Sequence, residues 1–117
     1  MSTAPSVDGR RFAGVSNSGD GEVGRATVFD YHESDGLVWA EYSGGDVRLG
    51  RLAGTREGDR LSFRYVHVSV DGASSSGRCE ARIEVLDDGR LRSHESWAWE
   101  SRPGTGESVV EEVTGRT

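Results

Sequence analysis

The chain has 117 residues, enough for one domain that buries its own core, and we expect that domain to span residues 1–117. Its net charge of −6 disfavours nucleic-acid binding, which relies on clustered positive charge. The sequence contains no run of 18 apolar residues, so it predicts no membrane helix. The single cysteine, Cys79, excludes an internal disulfide. We therefore expect a cytoplasmic protein without nucleic-acid or membrane partners, with flexible ends at residues 1–8 and 115–117.

Turn signals rich in glycine recur along the chain at nearly constant spacing, and each supplies residues that tolerate the backbone of a tight hairpin. They are Asn17–Gly21, Ser34–Gly36, Gly44–Gly45, Glu57–Asp59, Asp71–Gly72, Asp87–Gly89 and Pro103–Gly106. Seven turns leave eight segments, and several short segments with regular turn signals are typical of all-β domains.

Within the segments, side chains alternate with a period of two, as in strands that have one buried face. In chain order, the predicted inward sets are Thr27, Phe29 and Tyr31; Leu61, Phe63, Tyr65 and His67; Cys79, Ala81, Ile83 and Val85; and Leu91, Ser93, Glu95, Trp97 and Trp99. Two segments, Leu37–Tyr42 and Ser108–Val113, carry apolar residues on both faces, so the alternation does not decide which of their faces points inward.

No segment predicts a helix, because glycine interrupts every window of helical length. Eight hairpin-linked strands can form an up-and-down barrel or a sandwich. Short consecutive turns, without the long connection of a Greek key, favour the barrel. We predict an all-β fold: an eight-stranded antiparallel up-and-down barrel of the calycin type.

Two residues form the candidate catalytic pair. Glu95 is predicted to share the inward face with Trp97 and Trp99, where desolvation raises the pKa of a carboxyl group and suits it to acid–base chemistry. Tyr65 is predicted to lie inward with Phe63, where its hydroxyl can donate a hydrogen bond to a ligand or to Glu95. The structural alternative is a buried polar network without catalytic function.

Five further residues are candidates for ligand binding. Arg51 shares a predicted face with Val47, Leu49 and Ala53, from which it would neutralise Glu95 or bind a ligand carboxylate. Tyr42 is a further hydrogen-bond donor. Aromatic rings line ligand pockets, and the candidates here are Trp39, Trp97 and Trp99. The alternatives are that the indoles fill the core, or that Trp39 and Trp99 form a dimer contact.

No metal site and no cofactor are expected. The three histidines, His32, His67 and His94, lie on three different predicted strands without the spacing of metal ligands. His94 is predicted to point outward. Cys79 is predicted to face the core as a small hydrophobic residue rather than a nucleophile.

Short pieces between Arg11 and Val113 resemble a family of small bacterial proteins of about this length that often carry the label N-acetylglutamate synthase. The pieces are Thr27–Phe29, Glu41–Gly45, Arg64–Tyr65, Glu84–Leu86 with Gly89, and His94–Glu95 with Trp97 and Trp99. The resemblance implies a bacterial protein of one domain. The labelled activity would need a helix after a pyrophosphate-binding glycine turn, and the sequence has no such turn and helix.

Three functional hypotheses follow, in order of preference. The first is a lipocalin-like binding module that holds one small, partly apolar molecule inside the barrel. The second is a small acid–base enzyme, an isomerase, cyclase or hydrolase, that uses Glu95 and Tyr65. The third is a structural or interaction protein that acts as a homodimer. The residues alone do not decide whether the protein is an enzyme.

Overall fold

The computed structural model describes residues 5–18 and 23–113. Eight antiparallel strands follow one another around a closed barrel, in which β8 pairs with β1. The strands are β1 (Arg11–Asn17), β2 (Val28–Ser34), β3 (Leu37–Gly44), β4 (Val47–Glu57), β5 (Arg60–Ser69), β6 (Ser74–Val85), β7 (Leu91–Trp99) and β8 (Thr105–Glu112). The predicted all-β, eight-stranded antiparallel barrel is confirmed. None of the described residues forms a helix that could span a membrane.

The hairpins form where the turn signals lie. Asp35 and Gly36 both have positive φ, 52° and 78°, which is the backbone of a two-residue hairpin turn that matches the twist of the flanking strands. This turn joins β2 to β3 and pairs Ser34 with Leu37. The first predicted turn, Asn17–Gly21, lies in part outside the described residues, since positions 19–22 are not described.

The predicted inward faces of β2, β5, β6 and β7 are the buried faces of these strands, with one difference at the end of β6. Val85 is the last residue of β6 and is half-exposed, because its position lies at the rim of the barrel. For β3 and β8, whose inward faces the sequence did not decide, the burial of the side chains identifies the inward face. In β3 the inward residues are Val38, Ala40 and Tyr42, and in β8 Val110 is completely buried.

A β-bulge in β4 overturns the predicted face of Arg51. The register between β4 and β5 shifts between Val47 and Leu49, so the alternation changes phase after Val47. Val47 is buried, but the next inward residues are Gly50 and Leu52. Arg51 therefore points to solvent, and its Nη1 donates to the carbonyl oxygen of Gly50 at 2.8 Å. The prediction that it reaches Glu95 is wrong.

The core fills the end of the barrel where β1 begins and β8 ends. The fully buried apolar residues at this end are Val7, Phe12, Val38, Leu61, Leu91 and Val110. Val7 belongs to the terminus that was expected to be flexible. Its amide donates to Glu33 Oε1 at 3.0 Å, and Arg56, which pairs with Glu33, donates to the carbonyl of Pro5. Residues 1–4 and 115–117 of that expectation lie outside the described residues.

Two leucines test this arrangement, one on the inner and one on the outer surface of the barrel. Leu91 is completely buried, so Leu91→Ala is expected to lower the free energy of unfolding by about 2–5 kcal/mol through lost packing and a new cavity. Leu49 is 51% exposed, and Leu49→Ala is expected to change it by less than about 0.5 kcal/mol. Urea denaturation of both variants measures the difference, and equal losses would contradict the assigned faces.

Candidate ligand-binding site

A cavity occupies the opposite half of the barrel, towards the connections β1–β2, β3–β4, β5–β6 and β7–β8. The cavity has a volume of about 50 Å³. One buried water needs only about 10–15 Å³, so the space exceeds a single hydration site. The lining is aromatic and apolar with a few polar groups, and consists of Asn17, Val23, Phe29, Tyr42, Leu52, Phe63, Tyr65, Cys79, Glu95, Trp97, Trp99 and Ser108.

Among the described residues, Glu95 is the one carboxyl group of the cavity lining. Its Oε1 accepts a hydrogen bond from Ser108 Oγ at 2.7 Å, and its Oε2 lies 3.4 Å from Ser93 Oγ. Burial raises the pKa of Glu95 from its ordinary value of 4.5 to about 7, although the two serine hydroxyls act in the opposite direction. Among the described residues no arginine forms an ion pair with it. Well below pH 7 it is therefore a neutral acid, and near pH 7 the neutral and ionised forms coexist.

Tyr65 lines the same cavity, as predicted from the alternation in β5. Burial, and to a smaller extent the neighbouring Cys79 and Glu95, raise the pKa of its hydroxyl well above the ordinary value. The group therefore stays protonated at physiological pH and can donate a hydrogen bond. Its ring meets that of Trp99 edge-on at 5.8 Å between centroids.

Tyr42 lies on the neighbouring part of the wall and is held at both ends. Its ring stacks on Phe29 with centroids 4.8 Å apart, and its hydroxyl lies 2.9 Å from His67 Nδ1. Both Tyr42 and His67 are buried. The pair places a polar contact inside the aromatic wall without leaving either side chain in solvent.

Trp97 and Trp99 complete the aromatic wall, with ring centroids 5.4 Å apart. Trp99 is covered by Arg102, whose guanidinium lies 4.1 Å from the ring centroid. Arg102 also donates to Ser75 Oγ at 2.8 Å, so it bridges the β7–β8 connection and β6. The sequence prediction did not include Arg102 or His67.

Trp39 does not belong to the cavity, and its predicted place beside Trp97 and Trp99 is wrong. Because β3 turns Val38 and Ala40 inward, Trp39 lies on the outer surface with 39% of its area exposed. Its ring stacks on His32 at 5.5 Å, and His32 Nε2 lies 2.8 Å from Glu41 Oε1. A homodimer contact at Trp39 stays a prediction.

Asn17 is the site residue that the sequence prediction missed most clearly. Its Nδ2 donates to the carbonyl of Val23 at 2.9 Å, which orients the amide. Its Oδ1 is buried and has no hydrogen-bond partner among the described residues. The sequence showed Asn17 as the first residue of a turn signal, and only its position at the end of β1 could have indicated an inward side chain.

The remaining candidates form no metal site. Among the described residues, no group of three or more histidine, cysteine, aspartate or glutamate side chains could hold a metal ion. His94 lies on the outer side of β7, where its Nε2 is 2.7 Å from Glu84 Oε1. Cys79 lines the cavity, and burial raises the pKa of its thiol, which keeps it protonated.

Comparison with known proteins supports the fold and corrects one part of the sequence interpretation. A sequence model of the avidin-like protein family matches residues 5–113. No curated protein and no solved structure matches the chain. The N-acetylglutamate synthase label receives no support from these comparisons. Because the match runs from the segment that contains Val7 to the end of β8, the chain belongs to the avidin-like protein family.

Proposed function

We propose that the barrel binds one small, flat, largely apolar molecule that carries an amide-like polar group. The observation that carries this proposal is the buried Oδ1 of Asn17, an acceptor without a partner among the described residues, in the wall of an aromatic cavity. A buried polar atom without a hydrogen bond costs about 1–3 kcal/mol. A ligand N–H group that reaches this oxygen removes that cost.

Glu95 supplies the complementary hydrogen bond. As a neutral acid well below pH 7 it carries a hydroxyl that can donate to a ligand carbonyl, while its other oxygen can accept from Ser108. A ligand with both an N–H group and a carbonyl, such as a lactam, an amide or a cyclic urea, satisfies Asn17 and Glu95 together.

The aromatic walls account for the shape of the ligand. Tyr65, Trp97 and Trp99 contribute three rings to the lining of the cavity. Rings of this size bury a large apolar area at small entropic cost and stack well on a flat partner. Apart from the polar groups of Asn17, Tyr42, Glu95 and Ser108, the rest of the lining, including Leu52 and Phe63, is apolar, so most of the ligand is expected to be apolar too.

The family supports the same class of function. Avidin-like proteins bind small ligands such as biotin. Biotin contains a cyclic urea, which has the N–H and carbonyl groups that Asn17 and Glu95 require. Imidazolidin-2-one, the flat cyclic urea alone, is therefore the first probe, and biotin, which adds a puckered saturated ring and a carboxylate chain to it, is the second.

Isothermal titration calorimetry with imidazolidin-2-one and with biotin tests the proposal. Asn17→Ala is expected to weaken binding by about 5- to 150-fold, because it removes an acceptor worth about 1–3 kcal/mol when buried. Trp39→Ala serves as the control, since Trp39 lies outside the cavity, and should leave the affinity unchanged. Absence of binding of both probes to the wild type, or an Asn17→Ala affinity equal to that of Trp39→Ala, would refute the proposal.

The protonation of Glu95 is expected to appear in the stability of the free protein. Below pH 4.5 its carboxyl is protonated in both the folded and the unfolded chain. As the pH rises to about 7, the unfolded chain ionises first, so the free energy of unfolding falls by about 3 kcal/mol and then levels off. Urea denaturation between pH 4 and pH 8 measures this slope, and Glu95→Gln should lack it. Parallel curves for the two proteins would contradict a buried neutral acid.

Acid–base catalysis is the second candidate, and the pKa of Glu95 near 7 favours it, since such a group gives and takes protons at physiological pH. Glu95→Gln is expected to retain most of the binding of a substrate but to lose its conversion. Nuclear magnetic resonance of each bound molecule over time checks this. If the wild type returns every bound molecule unchanged, acid–base catalysis is rejected and binding is retained as the function.

A further inference from the structure

Three aromatic residues of the cavity each lie directly opposite a glycine on the next strand. The cross-strand pairs are Tyr42 with Gly50, Tyr65 with Gly77, and Trp97 with Gly106. The aromatic partners come from the alternate strands β3, β5 and β7, and the glycines come from β4, β6 and β8. The same arrangement therefore repeats around the open half of the barrel.

These glycines are required for space and not for backbone conformation. None of them has a positive φ, so other residues could adopt the same backbone. A Cβ atom at Gly50 would overlap the ring of Tyr42, and one at Gly106 would overlap the ring of Trp97. At Gly77 it would overlap the hydroxyl end of Tyr65. Part of each aromatic side chain thus occupies the space that a Cβ atom would take: the ring of Tyr42 at Gly50, the outer edge of the Trp97 indole at Gly106 and the hydroxyl end of Tyr65 at Gly77.

Gly50 shows the consequence most directly. The three atoms nearest to a Cβ atom at this position all belong to the ring of Tyr42, whereas at Gly77 the carbonyl of Ala98 is also close. The ring of Tyr42 is already stacked on Phe29 and lines the cavity. A side chain at position 50 would therefore have to push the ring towards the cavity.

We propose that Gly50, Gly77 and Gly106 determine the specificity of the site. Because they let three rings lie against the wall, they leave a narrow slot that accepts a flat ligand and excludes a thick one. This inference rests on the proposed function, since it assigns the shape of the molecule that the cavity binds. In an eight-stranded barrel, side chains that point inward otherwise fill the interior.

Benzene and cyclohexane are suitable probes, because both have six carbons but only benzene is flat. We expect the wild type to bind benzene at least tenfold more tightly than cyclohexane, as measured by titration followed by nuclear magnetic resonance. Gly50→Ala should weaken benzene binding at least tenfold. Gly24→Ala is the matched control, since a Cβ atom at Gly24 contacts nothing within 4 Å and its φ is not positive, and it should bind like the wild type.

A second variant keeps the test decisive if Gly50→Ala does not fold. Tyr42→Leu also removes the hydrogen bond to His67 Nδ1, so Tyr42→Leu alone is the reference. In Gly50→Ala/Tyr42→Leu the ring that the new methyl group would meet is absent, so this variant should fold and bind benzene like Tyr42→Leu. A double variant that is less stable or binds benzene more weakly than Tyr42→Leu, or a single Gly50→Ala variant that binds benzene like Gly24→Ala, would overturn the inference. So would a wild type that binds cyclohexane as tightly as benzene, or binds neither.

Imidazolidin-2-one, the flat cyclic urea alone, titrated into the same variants separates this inference from the proposed function. Equal affinity of Gly50→Ala and Gly24→Ala for imidazolidin-2-one would leave the proposed function standing and overturn the role of the glycines. The expected benzene pattern, together with no binding of biotin or imidazolidin-2-one to the wild type, would support the slot and reject an amide-like ligand.

Discussion

Closure of the sheet is the constraint on which the structure depends. Pairing of β1 with β8 leaves no strand edge and encloses an interior that eight strands make only wide enough for side chains or one small ligand. The size of each inward side chain therefore determines whether the barrel interior at that height is filled or contains a cavity. Leu61 and Leu91 fill one half, while Gly50 and Gly77, with rings folded over them, leave room in the other.

The fold could be predicted from the sequence because two local signals agree. Glycine-rich turns mark the ends of the strands, and the alternation between them identifies the buried face, as it does for Phe63 and Tyr65 in β5 and for Glu95 and Trp97 in β7. Both signals depend on residues that are neighbours in the chain. The prediction was therefore reliable wherever a strand runs without interruption.

The errors in the candidate site have physical causes that the sequence does not show. The bulge after Val47 adds one residue to the local register, which reverses the face of Arg51. Trp39 lies in a strand with apolar residues on both faces, so the pairing of the whole barrel was needed to place it outside. Asn17 and Ser108 are short polar residues at strand ends, and only the closed barrel brings them to the cavity.

The buried N-terminal segment has a consequence for how a ligand moves. Val7 packs at the far end of the barrel, and the ion pair of Arg56 with Glu33 holds the chain beside it, since Arg56 also binds the carbonyl of Pro5. Among the described residues, side chains therefore close the interior at this end. A molecule held near Glu95 would have to enter and leave at the opposite end, where the Arg102 guanidinium covers Trp99 at 4.1 Å, so contacts at that end would affect how fast it is released as well as how fast it binds.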